Sequence, residues 1–134
     1  MDYKIIEGAE NMRLEDVERL LRQTYWADRR PIETIETSVR NSTCFGVRLK
    51  GEERLVGFAR VISDLATTYY LCDVVVDEAY RHRGLGTALV SHIVSHPVYS
   101  RLRGLLLTRD AHELYRKFGF KTQCDRTMVR DPDH

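Results

Sequence analysis

The stretch Val74-Val75-Val76-Asp77-Glu78-Ala79-Tyr80-Arg81-His82-Arg83-Gly84-Leu85-Gly86-Thr87-Ala88-Leu89-Val90 leaves the chain few ways to fold. Three consecutive β-branched residues favour a strand, because side chains forked at Cβ suit a pleated surface. Two glycines one residue apart then make a tight turn, and the apolar residues after them open a helix. A strand that passes through such a turn into a helix aims several backbone N–H groups at one point, on the positive end of the helix dipole. Arg81 and Arg83 add full charges beside it. The stretch is built to hold a phosphate-bearing ligand.

The remaining segments arrange themselves around this unit. Tyr3 to Glu7 carries β-formers and reads as a first strand. Asn11 is placed as an N-cap, followed by Leu14, Val17, Leu20 and Leu21 at helical spacing in a helix running to about Tyr25-Trp26. Pro31 opens a second helix with Ile32, Ile35 and Val39 on one face, ended by Asn41-Ser42. The period then changes to alternation. Cys44 to Leu49 and Arg54 to Ser63 form a hairpin across Lys50-Gly51-Glu52-Glu53. Tyr69 to Val76 is apolar on both faces apart from Asp73 and is expected at the centre of the sheet.

Pro97 stops the helix that follows the glycine turn. Leu102 to Thr108 reads as another buried strand, and Asp110 and Glu113 as N-cap and N3 of a capping box, with Gly119 closing that helix. Phe120 to Cys124 and Thr127 to Arg130 are expected as two short final strands, and Asp131-Pro132-Asp133-His134 as a frayed tail. The order β-α-α-β-β-β-α-β-α-β-β means α+β or mixed α/β architecture, with helices interleaved in a mostly antiparallel sheet. A chain of 134 residues with this pattern, residues 1–134, reads as one domain.

Composition narrows the partners. With 21 basic residues against 20 acidic ones, the net charge of +1 is a small excess for a chain gripping nucleic acid through phosphates. No stretch approaches the ~18 apolar residues of a membrane span. The start, Met1-Asp2-Tyr3-Lys4, lacks the apolar core of a signal peptide. Cys44, Cys72 and Cys124 are an odd number without close spacing, as expected of a reduced, cytoplasmic protein.

Three motifs compete for the glycine turn. A P-loop requires Lys after its last glycine, but Thr87 follows Gly86. A dinucleotide fingerprint requires a third glycine where Leu89 stands, and a carboxylate about 20 residues on, where Leu105-Leu106-Leu107 lies. The pattern R-x-x-G-x-G is met by Arg81, Gly84 and Gly86. Here the chain resembles the GCN5-related N-acetyltransferase (GNAT) superfamily, which carries this signature between a strand and a helix. Ala111, Leu114, Tyr115, Lys117, Gly119 and Phe120 also resemble that family's A-x-x-L-Y-x-K-x-G-F. Both motifs fall within residues 71 to 120, and the order of elements is similar over nearly the whole chain. The likeness is greatest to small bacterial, single-domain members.

The resemblance implies the acyl-CoA N-acyltransferase fold, acetyl-CoA as donor and no metal. It implies that the backbone of Arg81, His82, Arg83, Gly84, Leu85, Gly86 and Thr87 holds the pyrophosphate, and that Val74, Val75 and Val76 pair with the pantetheine arm. A strand N–H near Val74 or Val75 would polarise the thioester carbonyl. Thr108 stands where the family commonly has Asn, which leaves a hydroxyl for that contact to the cofactor. Tyr115 matches a tyrosine that gives its proton to the departing thiolate, a suitable donor with a pKa near ~10. Simple packing on the apolar face of its helix is the other reading of Tyr115.

Two readings also stand for Asp73. A desolvated carboxylate there could have a raised pKa and act as general base, or it could be buried in an ion pair with a neighbouring-strand arginine such as Arg60. Water can serve as base in place of a side chain. Tyr25, Trp26, Tyr69 and Tyr70 are candidates to line the acceptor pocket, and Asp28, Glu33 or Glu36 to attract a cationic amine. His92 and His96, one helical turn apart without the Glu of H-E-x-x-H, read as helix-end packing. The cysteines read as small core residues. The expected activity is transfer of acetyl from acetyl-CoA to a small-molecule or exposed peptide amine, by a monomer or homodimer with no nucleic-acid or membrane partner. The alternative is an acetyl-CoA-binding regulatory module without turnover.

Overall fold

The computed structural model describes residues 2–132. Strands β1 (Tyr3–Glu7), β2 (Thr43–Leu49), β3 (Leu55–Ser63), β4 (Thr68–Val76) and β5 (Arg103–Leu105) lie side by side in chain order in one five-stranded sheet. Neighbours are antiparallel except β4 and β5. Only a parallel pair needs a long crossover, and helix α3 (Leu85–Val94) supplies it.

Helices α1 (Leu14–Leu21) and α2 (Ile32–Arg40) cover one face of the sheet. They bury Val17, Leu20, Leu21, Ile35 and Val39 against Cys44, Leu55, Phe58 and Val75. On the other face, Leu85, Leu89, Val90 and Ile93 of α3 pack on Phe45, Val47, Val56 and Leu71, joined by Tyr115 of α4 (His112–Arg116). Cys44 and Phe45 enter opposite cores because adjacent strand residues point to opposite faces.

One irregularity in β4 positions the site. Phe58 faces Val75 whereas Arg60 faces Cys72, so Asp73 and Val74 together oppose Ala59. This is a β-bulge, and Asp73 takes φ 56° within it. The extra residue reverses the alternation: Tyr69 and Leu71 pack towards α3, but Val75 packs towards α1 and α2. Asp73 is thereby brought within reach of the segment joining α1 to α2. β4 and β5 are paired only from Thr68 opposite Arg103 to Tyr70 opposite Leu105. Beyond that point the strands part, and among the described residues one backbone edge of β4 has no strand beside it.

Several sequence expectations are corrected. Asn11 lies in a short 3-10 turn and donates to the Glu7 carbonyl (2.7 Å), while Arg13 takes the N-cap position of α1. α1 ends at Leu21, well before Tyr25-Trp26. There the Thr24 hydroxyl donates to the Leu21 carbonyl (2.7 Å) and accepts from Ala27 N–H (3.1 Å), closing a turn instead of another helical turn. Pro31 precedes α2 as its N-cap.

β4 is an interior strand, between β3 and β5, but it is not buried on both faces: its residues alternate between buried and half-buried. The run Leu102 to Thr108 is not a buried strand. Only Arg103–Leu105 is extended in the sheet, at its edge, and Leu105 and Leu107 are exposed. Asp110 does not cap α4; Ala111 holds that position, and its N–H is taken by the Thr108 hydroxyl (3.0 Å). Glu113 pairs with Arg116 instead of closing a capping box. Phe120 to Cys124 and Thr127 to Arg130 form no strands, because no neighbouring strand among the described residues offers them a ladder. Of the expected tail, Asp133 and His134 lie outside the described residues.

Candidate active site

Where β4 and β5 part, a cleft of about 1030 Å³ opens. It gathers most of the sequence-derived candidates: Tyr115, Asp73, Val74, Val75, Val76, Arg81, His82, Gly84, Leu85, Gly86, Thr87 and Thr108. Arg83 is the exception among them. Its guanidinium lies over the Tyr80 ring, 5.5 Å from the centroid, and does not line the cleft.

The glycine turn is built from the end of β4. The Asp77 carboxylate accepts from Ala79 N–H (3.0 Å), and Arg81 Nε donates to the Val76 carbonyl (3.1 Å). His82 and Gly84 both take left-handed φ values, 65° and 82°, so the chain turns sharply into α3. Ala88 N–H makes the bond to Gly84 O that starts the helix (3.0 Å). The N–H groups of Leu85, Gly86 and Thr87 precede it in the first turn, where a helix has no carbonyl to offer them. A Cβ added at Gly84 would meet nothing within 4 Å, and one at Gly86 only Val76 Cγ2 at 3.6 Å. At Gly84 the left-handed φ itself favours glycine, whereas at Gly86 neither the backbone conformation nor the surrounding protein requires it, and the backbone there is open to a group approaching from the cleft. This is a fit for a pyrophosphate.

Tyr115 is nearly buried, with the Phe120 ring set edge-on at 5.9 Å. It packs in the core and lines the cleft, so both sequence readings describe its position. Burial, reinforced by the charge of Asp110 and by Tyr25, pushes its phenol up to about 12. It therefore holds its proton throughout the neutral range. Thr108 lines the cleft too, but its oxygen is engaged by Ala111 N–H and fastens the loop before α4.

Asp73 is held in an ion-pair network. Its Oδ2 receives Arg30 Nη1 (2.8 Å) and Arg60 Nε (2.9 Å), and its Oδ1 receives Trp26 Nε1 (3.0 Å). Burial pushes the carboxyl up, but the hydrogen bond from Arg30 and the charges of Arg60 and Arg30 outweigh it and leave the group below the usual carboxylate value. The raised pKa expected of a base is corrected, and the ion-paired reading is the one observed. Arg60 was legible as its partner; Arg30 was not, because the turn after Leu21 is what carries it there. Arg22 braces that turn, donating to the carbonyls of Asp28 (3.2 Å) and Arg30 (2.7 Å).

Tyr25, Trp26 and Tyr70 line the cleft as expected, whereas Tyr69 lies in the core against Tyr99. Asp28, Glu33 and Glu36 do not line it. Arg109 and Asp110 do; no motif marks Arg109, and Asp110 reads from the sequence only as a helix cap. His92 and His96 both reach Glu7 of β1, at 3.0 and 3.3 Å, and flank Phe45. Cys44 and Cys72 are raised to about 12 and about 11 by burial, so both are thiols.

The family model described as Acetyltransferase (GNAT) family matches residues 10–120. A solved structure from Xanthomonas campestris pv. campestris, ascribed to the same family, is 35% identical, with TM-score 0.89, covering 98% of this chain and 94% of that one. The histone acetyltransferase TAP1 of Glycine max is 28% identical over 89% of this chain. The chain spans 57% of that relative's length. An aminoglycoside N-acetyltransferase solved in complex with CoA shares the fold at 15% identity and TM-score 0.73, covering 97% of this chain and 95% of that one. Similarity thus extends to plant as well as bacterial proteins.

Proposed function

The chain belongs to the GNAT acetyltransferase family, and we propose that it transfers acetyl from acetyl-CoA to a primary amine by direct attack, with Tyr115 as general acid. The observation that carries this reading is a single cleft lined by the open glycine turn, the unpaired part of β4 and a protonated Tyr115.

In this proposal the first-turn N–H groups of Leu85, Gly86 and Thr87, with Arg81, hold the pyrophosphate of the donor. The open edge of β4 at Val74 to Val76 offers backbone groups to its amide-bearing arm. The donor supplies an activated thioester: the amine nitrogen bonds to the acetyl carbon as the C–S bond breaks and the thiolate leaves. Tyr115 gives that sulfur its proton and regains one from solvent. The attacking nitrogen loses its proton to water. Asp73, held ionised by two arginines, orients the Trp26 and Arg30 wall and takes no proton. A one-domain, cytoplasmic enzyme remains part of the same proposal.

The test is calorimetric titration of acetyl-CoA into the wild-type chain and into Gly86→Val. A Cβ added there meets only Val76 Cγ2, at 3.6 Å, so Gly86→Val is expected to keep its circular-dichroism spectrum and lose measurable acetyl-CoA binding. Unchanged affinity in that variant would reject the pyrophosphate-turn assignment.

A further inference from the structure

The end of the cleft away from the glycine turn takes its charge from arginine. Arg30, Arg60 and Arg109 line it together with Tyr25, Trp26 and Tyr70, against the two carboxylates Asp73 and Asp110. Asp73 is already committed: one oxygen accepts from both Arg30 and Arg60, and the other accepts from Trp26. Arg60 is also engaged by Ser42 Oγ (3.2 Å).

Arg109 is different. Among the described residues its guanidinium has no carboxylate or carbonyl partner, and it lies over the Tyr25 ring, 3.6 Å from the centroid. Stacking on an aromatic face holds a guanidinium in place and leaves its in-plane N–H fork free for a planar oxyanion. Tyr25 is itself set edge-on to Trp26, with centroids 4.9 Å apart, and Trp26 is fixed by its bond to Asp73. An oriented guanidinium without an anion, on the wall of a binding cleft, matches the two oxygens of a carboxylate. A second ammonium group set against the Arg109 guanidinium would be repelled by it. Asp110, which has no ion-pair partner among the described residues, offers a counter-charge to the ammonium end of an incoming molecule before its proton is lost.

We propose that the acceptor is an amino-acid-like molecule, a primary amine that also carries a carboxylate, with Arg109 binding that carboxylate. This rests on the acetyl-transfer reading above. It reverses the expectation of a cationic acceptor drawn by Asp28, Glu33 or Glu36, none of which reaches the cleft.

The experiment is a thiol-release assay on the full chain with acetyl-CoA and matched amines: β-alanine against β-alaninamide, and 4-aminobutyrate against butylamine and 1,4-diaminobutane. The carboxylated member of each set is expected to show kcat/KM roughly tenfold or more above its partners, as a charge-assisted bidentate contact warrants. Arg109→Gln is expected to erase that preference by raising KM for the carboxylated amine, and Arg109→Lys to restore part of it. Equal or faster turnover of the amines that lack a carboxylate, or of the diamine, overturns the proposal. So does a preference that survives Arg109→Gln, or acetyl-CoA binding with no member turned over. Failure of the wild-type chain to bind acetyl-CoA would instead bring down the acetyl-transfer reading itself.

Discussion

Asp73 shows burial and charge acting against each other at one carboxylate. Its side chain is 3% exposed, yet two arginines hold it ionised. Asp73→Asn would leave both guanidiniums without their anion. A loss of about 2 kcal/mol is expected in urea unfolding, somewhat less than for a fully buried pair because the arginines are partly solvated. The sign of the pH effect follows from the lowered pKa. Asp73's contribution is complete above its unfolded value of about 3.9 and is lost as pH falls through the folded value. The wild-type chain should therefore lose stability more steeply than Asp73→Asn below about pH 4. Tyr115 is the opposite case, a neutral group kept neutral by burial. Tyr115→Phe is expected to lower kcat about 100-fold with little change in KM for acetyl-CoA. Because the phenol ionises only at about 12, wild-type kcat should show no falling limb from this group within pH 6–10. A wild-type rate in Tyr115→Phe would reduce that residue to packing.

At the scale of elements, the site depends on how helices and strands end. The bulge in β4 puts Asp73 beside the α1–α2 segment, and the turn after Leu21 brings Tyr25, Trp26 and Arg30 to meet it. Neither was legible from periodicity, since a bulge adds one residue without changing composition, and Thr24's hydroxyl stops α1 through a bond that a helical pattern cannot reveal. α1 is fastened to the sheet by Arg19, which donates to Asp77 (2.6 Å), Asp16 (3.3 Å) and the Leu55 carbonyl (2.5 Å). Arg19→Ala strips the cation from the Asp77 carboxylate and leaves Asp16 only the more distant Arg13, at 4.0 Å. It should lower the urea midpoint by the equivalent of about 2 kcal/mol, with the denaturant slope unchanged. A midpoint equal to wild type would show that the fastening contributes nothing.

For the molecule as a whole, a net charge of +1 hides an uneven field. Arg30 and Arg60 are offset by Asp73 and Arg109 lies over Tyr25, whereas Arg81 lines the cleft beside the glycine turn with no carboxylate partner among the described residues. Acetyl-CoA affinity should therefore weaken as salt is raised from low to several times physiological strength, where the screening length falls below ~8 Å; calorimetry that finds no change would deny the phosphate a charge-based grip. The sequence by itself determined the strand, glycine turn and helix, the two motifs around Gly86 and Tyr115, and hence the family and the glycine-turn part of the cleft. Those features are local: glycine spacing, β-branching and helical period act over a few residues and are written in consecutive positions. Tertiary structure alone decided the rest. It shortened β5 to an edge strand, left Phe120 to Arg130 without a ladder, turned Arg83 away, and paired Asp73 with an arginine 43 residues earlier in the chain. It also set Arg109 over Tyr25. Each outcome depends on which distant groups come to share a low-dielectric space, and no local pattern encodes that.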